Sequence, residues 1–200
     1  MTLKDNIENL RKEHIIEATI RAISRQGMHN VTLEDIAREA GLSKGGIAHY
    51  FSSKDELFRM AFREFFAIIF KRSRETMDMY SNPLDKVLSF SWLYNWNDPD
   101  VNLGYPLLFS CILMAVHNNE YREIFHEWVN NWISLLSEAL ELGVREGDFI
   151  VEDIESTARA ISSVYNGLAT RWYLDGKSHS TEWAVASFKK IITCLVRFQD

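Results

Sequence analysis

The chain has 200 residues, 46% of them hydrophobic, a formal net charge of −6 at pH 7 and two cysteines. That length can bury the core of one ordinary domain, or of one small and one medium domain. The acidic sum excludes a protein that coats nucleic acid indiscriminately. Cys111 and Cys194 show neither metal-ligand nor redox-motif spacing. The longest nearly unbroken apolar run, Gly104 to Val116, is interrupted by Ser110 and falls short of the roughly 20 residues a spanning helix needs, so it reads as a buried helix and no membrane is expected as a partner. Met1-Thr2-Leu3-Lys4-Asp5 lacks the apolar stretch of a secretory signal, which makes a reducing cytoplasm the expected compartment.

Charge is unevenly distributed. Residues 1–74 carry 13 Lys+Arg and 10 Asp+Glu, a net of +3, whereas residues 75–200 carry 9 and 18, a net of −9. Three prolines, nine glycines and apolar residues recurring every three or four positions predict an all-α fold of about nine helices. The first, about Lys4 to Gln26, puts Ile15, Ala18, Ala22 and Ile23 on one stripe and stops at Gly27. Thr32 with Asp35, a carboxylate variant of the capping box, starts a short helix from Leu33 to Ala40, and Gly41 suits the left-handed turn after it. A third helix follows Ser43 and runs to about Tyr50. Ser53 with Glu56 starts a longer one reaching Arg74 or beyond. After Pro83 come a helix to Trp96, a loop through Asn97-Asp98-Pro99-Asp100 and the apolar run. Helices over about Glu120–Arg145, Glu152–Leu174 and Thr181–Phe198 complete the chain. Within Glu152–Leu174, Ala158, Ser162, Tyr165 and Ala169 recur on one face, which fits either a subunit interface or packing inside the protomer.

The segment Leu33 to Phe51 carries the chemistry. A helix-turn-helix needs a small residue where its helices come closest, a residue tolerant of positive φ in the turn and an apolar pin for the second helix. Ala37, Gly41 and Ile47 supply these. The first turn of the second helix then faces the major groove, and it holds Gly45 and Gly46. A mid-helix glycine costs about 1 kcal/mol against alanine, so two in a helix of barely two turns call for a reason. Their missing side chains let backbone approach the duplex, beside Ser43 and Lys44. Residues 41–54 contain two lysines and no carboxylate.

The runs Ile36-Ala37-Arg38-Glu39-Ala40-Gly41-Leu42-Ser43-Lys44-Gly45 and His49-Tyr50-Phe51-Ser52-Ser53-Lys54-Asp55-Glu56-Leu57 resemble the TetR family of one-component bacterial transcriptional regulators, over about residues 10–60. The resemblance implies a helix-turn-helix DNA-binding domain over residues 1–52 and a helical effector-binding and dimerisation domain over residues 53–200. Carried over by position, Lys44 contacts bases or phosphate, Gly45 and Gly46 admit backbone to the groove, and His49 and Tyr50 contact backbone or bases. Thr32, Ser43 and Lys54 bind phosphates. Ala48 stands where family members commonly carry tyrosine, and it is placed to touch a thymine methyl. The implied function is a repressor that binds a palindromic double-stranded operator as a homodimer and is released by a small-molecule effector.

For the effector region, Trp92, Trp96, Phe109, Leu113, Met114, Trp128, Tyr165 and Trp172 are the candidate lining residues, and Ala158, Ser162, Tyr165 and Ala169 the candidate dimer interface. The aromatic supply and the His49-Tyr50-Phe51 ending, which resembles the choline-responsive BetI-type branch, point to a cationic ligand, although aromatics at helical spacing are core more often than cage. No cofactor or metal site is expected. Glu123 and His126 have the spacing of half a di-metal site without its partner motif. No nucleophile motif, glycine-rich phosphate loop or zinc pattern appears, so an enzyme is not expected. The rival readings are a coactivator with a DNA-binding fold that works through protein contacts, and a ligand-binding helical bundle without DNA binding.

Overall fold

The computed structural model describes residues 3–198 and forms two compact units. One comprises the chain up to Ile68 together with Asn102–His126, and the other comprises Ile69–Val101 and the chain from Glu127 onward. The order is α1 (Leu3–Gln26), α2 (Leu33–Glu39), α3 (Lys44–Ala48), α4 (Lys54–Asp78), α5 (Pro83–Leu88), a 3₁₀ segment (Ser89–Tyr94), α6 (Pro99–Ala115), α7 (Asn119–Glu146), β1 (Phe149–Ile150), α8 (Ile154–Leu174), α9 (Thr181–Leu195) and β2 (Arg197–Phe198). Among the described residues no helix is long and apolar enough to cross a membrane.

In the first unit each short helix starts on the cap its sequence supplies. The Thr32 hydroxyl accepts from the Asp35 N–H while the Asp35 carboxylate accepts from the Thr32 N–H at 3.0 Å, closing a reciprocal capping box. Gly41, at φ +64°, makes the left-handed turn that ends the α2 region. Ser43 accepts from the Gly46 N–H at 3.1 Å and begins α3. At α4, Ser53 accepts from the Glu56 N–H, but the Glu56 carboxylate returns to the N–H of Ser52 at 2.8 Å, one residue earlier than a regular capping box.

Ile15, Ala18, Ala22 and Ile23 of α1 are buried, as are Ile36, Ala37, Ala40 and Ile47. Two polar ties hold α2 on α1: His14 Nε2 donates to the Ala40 carbonyl at 2.9 Å, and the Glu39 carboxylate accepts from Arg21 at 2.9 Å and from Arg25. The α6 portion of this unit contains Pro106, whose ring nitrogen has no hydrogen for the carbonyl of Asn102. That carbonyl accepts from the Ser24 hydroxyl of α1 at 3.3 Å. Leu107, Cys111 and Ala115 are buried, but Leu113 and Val116 are exposed, so the apolar run is a one-sided helix and not the buried one its composition predicts.

In the second unit the helix expected over Pro83–Trp96 breaks. The Lys86 carbonyl accepts both the N–H and the hydroxyl of Ser89, which tightens the chain into the 3₁₀ segment. This turns Phe90 and Tyr94 into the core. The expected loop at Asn97–Asp100 already contains the start of α6, because Asp98 accepts from the Asp100 N–H at 3.0 Å with Pro99 in the first helical position. The last helix stops at Leu195 and not Phe198, since the chain passes into a two-residue antiparallel pair that sets Phe149 opposite Phe198 and Ile150 opposite Arg197.

Ala158, Ser162, Tyr165 and Ala169 of α8 are all buried within one protomer, where α8 packs on α9. The small-residue stripe thus serves internal packing, and the expectation of a subunit interface there is corrected: side chains already enclosed have no surface to offer a second chain. The outward face of α8 presents Ser163, Gly167, Thr170 and Leu174.

Candidate nucleic-acid interface

Ser43, Lys44, Gly45, Ala48 and His49 are exposed along α3 and its ends, with Gly46 and Tyr50 half-buried beside them. Ile47, in their midst, is buried and fixes which way this surface points. Of the N-terminal turns of α2, α3 and α4, those of α2 and α4 carry acidic pairs, Glu34 with Asp35 and Asp55 with Glu56, while that of α3 carries none. The residues of the α3 turn itself therefore oppose an approaching phosphate least.

The two glycines are not required by the fold. A Cβ on Gly45 would find only Ser43 Oγ, at 3.9 Å, and one on Gly46 would meet Ser43 Oγ at 3.5 Å and Leu42 Cβ at 3.7 Å, all ordinary van der Waals contacts. Neither glycine has a positive φ. Inside the protein alanine fits and is the better helix former, so what the missing side chains leave open is the outer surface.

The remaining candidates are occupied to different degrees. The Thr32 hydroxyl gives its hydrogen to Asp35 at 2.6 Å, so Thr32 acts through its cap. Ser43 only accepts in its cap, which leaves its own hydrogen to donate. The His49 and Tyr50 rings meet edge to face, 4.9 Å between centroids. Lys54 holds its ammonium 5.0 Å above the Phe58 ring, keeping its charge at the start of α4. Lys44 departs from expectation. No acid lies near it along the chain, yet the Glu34 carboxylate of α2 reaches its Nζ at 2.6 Å. Sequence reading missed Glu34, because a bridge between the first turns of two helices requires the turn geometry as well as the spacing.

The aromatic candidates separate. Phe109, Leu113 and Met114 belong to the first unit, and Trp92, Trp96, Trp128, Tyr165 and Trp172 to the second. Four of the latter share one cluster. Trp96 packs on Trp172 at 4.2 Å, Tyr94 stacks on Tyr165 at 5.3 Å and meets Trp172 edge-on, and Trp132 joins Trp128 to Tyr165. Two of its polar groups are satisfied within the protein: Tyr165 donates to the Phe90 carbonyl, and Trp172 donates to Thr181 at 3.0 Å, which donates to the Tyr94 carbonyl at 2.9 Å. Trp92 stands apart. Its ring carries the Arg72 guanidinium at 3.8 Å, and Arg72 is bound in turn by Asp98 and Asp100, each at 2.5 Å. The protein thus supplies its own cation to that face. Hydrogen bonding from Arg72 holds the Asp98 carboxyl below the usual carboxylate range.

Residues 15–61 match the bacterial regulatory proteins of the tetR family, and residues 105–196 match the C-terminal domain of BetI-type transcriptional repressors. The chain is 44% identical over 61 residues to the HTH-type transcriptional regulator BetI of Stenotrophomonas maltophilia, an alignment covering 30% of this chain and spanning only 31% of that protein. It is 26% identical over 180 residues, 84% of each chain, to the HTH-type transcriptional repressor KstR2 of Mycobacterium tuberculosis. A transcriptional regulator from Saccharomonospora viridis, solved in complex with choline, superposes with a TM-score of 0.85 at 20% identity over 94% of this chain and 98% of that one. A TetR-family regulator from Cytophaga hutchinsonii gives 0.84 at 19% identity over 96% and 98%. With an exposed, glycine-tipped recognition helix in the first matched segment and a BetI-type helical region in the second, the chain belongs to the TetR family of transcriptional regulators.

Proposed function

We propose that this regulator represses transcription as a homodimer, each subunit laying α3 in the major groove of one half of a palindromic operator, and that a small-molecule effector releases it. The single observation that carries the reading is the Gly45-Gly46 tip beside Lys44, exposed at Gly45 and half-buried at Gly46, where neither φ nor internal packing requires glycine. Ser43, Lys44, Ala48, His49, Tyr50 and Lys54 supply the surrounding contacts, with Thr32 seating α2. Residues 1–52 form the reader and residues 53–200 the module that dimerises and binds the effector. Two recognition helices in successive grooves require a separation of about 34–36 Å or a multiple.

The outward face of α8 is the self-association surface best supported. Ser163, Gly167, Thr170 and Leu174 lie on it, and a Cβ on Gly167 would meet nothing within 4 Å, so a second helix can approach closely there. Gly167→Glu is expected to convert a dimer to a monomer in sedimentation velocity, and an unchanged dimer would remove this surface.

The aromatic cluster around Trp96, Trp128, Tyr165 and Trp172 supports an effector recognised through ring faces. Because Trp92 already holds Arg72, a cationic ligand depends on the other rings. Choline, the ligand of the Saccharomonospora viridis protein, is the first compound to titrate. The experiment is selection of bound fragments from genomic DNA by the full chain, followed by titration of the selected duplex with and without choline. Sequence-selective, salt-sensitive binding is expected, together with loss of affinity when an effector is present. Absence of any duplex preference at low ionic strength would overturn repression and favour the coactivator reading.

A further inference from the structure

Glu34 and Lys44 form an ion pair that joins the first turn of α2 to the first turn of α3. Both side chains are more than half exposed, at 57% and 60%, and the bond is 2.6 Å. Its neighbour Asp35 is committed elsewhere, to the Thr32 cap and to Arg38 at 3.3 Å, which leaves Glu34 as the carboxylate facing the recognition helix. The hydrogen bond from Lys44 also keeps the Glu34 carboxyl below its ordinary range.

We infer that Glu34 is a specificity-determining residue of the reader: it neutralises Lys44 until an acceptor fixed on the correct duplex takes its place. The inference rests on the DNA-binding reading above. Binding to arbitrary duplex is driven by release of counterions when lysines and arginines meet phosphates. A lysine already paired with a carboxylate releases few. A base edge in the major groove, such as the O6 and N7 acceptors of guanine, holds its acceptor at one position and can replace Glu34 directly. Random contact is thereby penalised more than the correct one, and discrimination increases without a new contact to DNA.

The test compares the full chain with Glu34→Gln, which keeps the size and polarity of the side chain and removes its charge. Two probes are titrated over a range of KCl by fluorescence anisotropy: a duplex enriched from a random pool by the wild-type chain, and a shuffled duplex of equal length. The substitution is expected to tighten the shuffled duplex roughly two- to fivefold and to steepen its salt dependence by about one unit. The enriched duplex should change by less than the shuffled one. In a Lys44→Ala background the same substitution should have little effect on either. Equal tightening of both probes, an unchanged shuffled probe, or an undiminished effect without Lys44 would each overturn the inference while leaving DNA binding intact. A wild-type chain that never distinguishes any enriched duplex would instead remove the DNA-binding reading and this inference with it.

Discussion

Gly143 of α7 lies directly against the ring of Phe149, so close that a Cβ there would stand 2.1 Å from Phe149 Cδ2 and 2.7 Å from Cγ. The ring cannot swing clear cheaply, because its near atoms are involved and because Phe149 is buried and paired through its backbone to Phe198. Gly143→Ala should therefore lower stability by about 1–3 kcal/mol, the usual cost of forcing extra atoms into a packed site, although alanine is the better helix former. Urea unfolding followed by circular dichroism measures this, and an unchanged midpoint would show that the strand pair yields freely.

Much of the reader is legible in the sequence because its signals are local. Thr32 with Asp35, Gly41 and Ser43 mark starts and stops that depend on residues three or four positions away, and the structure follows them. Long-range relationships are not legible in the same way. The Pro83–Trp96 prediction fails at Ser89, a good enough helix residue whose hydroxyl bonds back to Lys86. The α8 stripe shows the limit of periodicity, since it reveals that Ala158, Ser162, Tyr165 and Ala169 share a face without saying what lies opposite. Glu34 was hidden for a third reason: charge counted along the chain misses a carboxylate brought in by the turn.

Acid should unfold the second unit in part through Asp98. Its folded pKa is depressed by hydrogen bonds from Arg72, so its contribution is fully present above the unfolded carboxyl value of about 3.9 and is lost as pH falls through the lower folded value. Asp98→Asn keeps an oxygen to accept from the Asp100 N–H at the start of α6 but removes the charge opposite Arg72. The expected loss at pH 7 is about 1–2 kcal/mol, discounted because Arg72 is one-third exposed. The difference from wild type should shrink below about pH 4 as Asp98 protonates. Stability curves at several pH values test this, and a constant difference down to pH 2 would exclude the linkage.

The two thiols should react at very different rates. Cys111 is buried, and burial pushes its thiol up to about 12, whereas Cys194 is exposed. Reaction requires both access and thiolate. A disulfide reagent on the native chain should titrate one thiol promptly and the second only on unfolding. Rapid modification of both would mean that the region around Cys111 opens without global unfolding.

Gly45 and Gly46 separate a folding role from a binding role, because the two predict opposite signs. Alanine at both positions meets only ordinary contacts with Ser43 and Leu42, and it should stabilise α3, by a few tenths to about 1 kcal/mol per site in a first helical turn. If the absent side chains serve close approach to DNA, the same double substitution should weaken binding to a selected operator, since two methyl groups hold the helix tip away from the groove and disturb every contact made with it. Melting temperature and affinity should therefore move in opposite directions. Equal affinity with raised stability would assign the glycines no part in DNA contact, and lowered stability would mean that α3 requires them for its own fold.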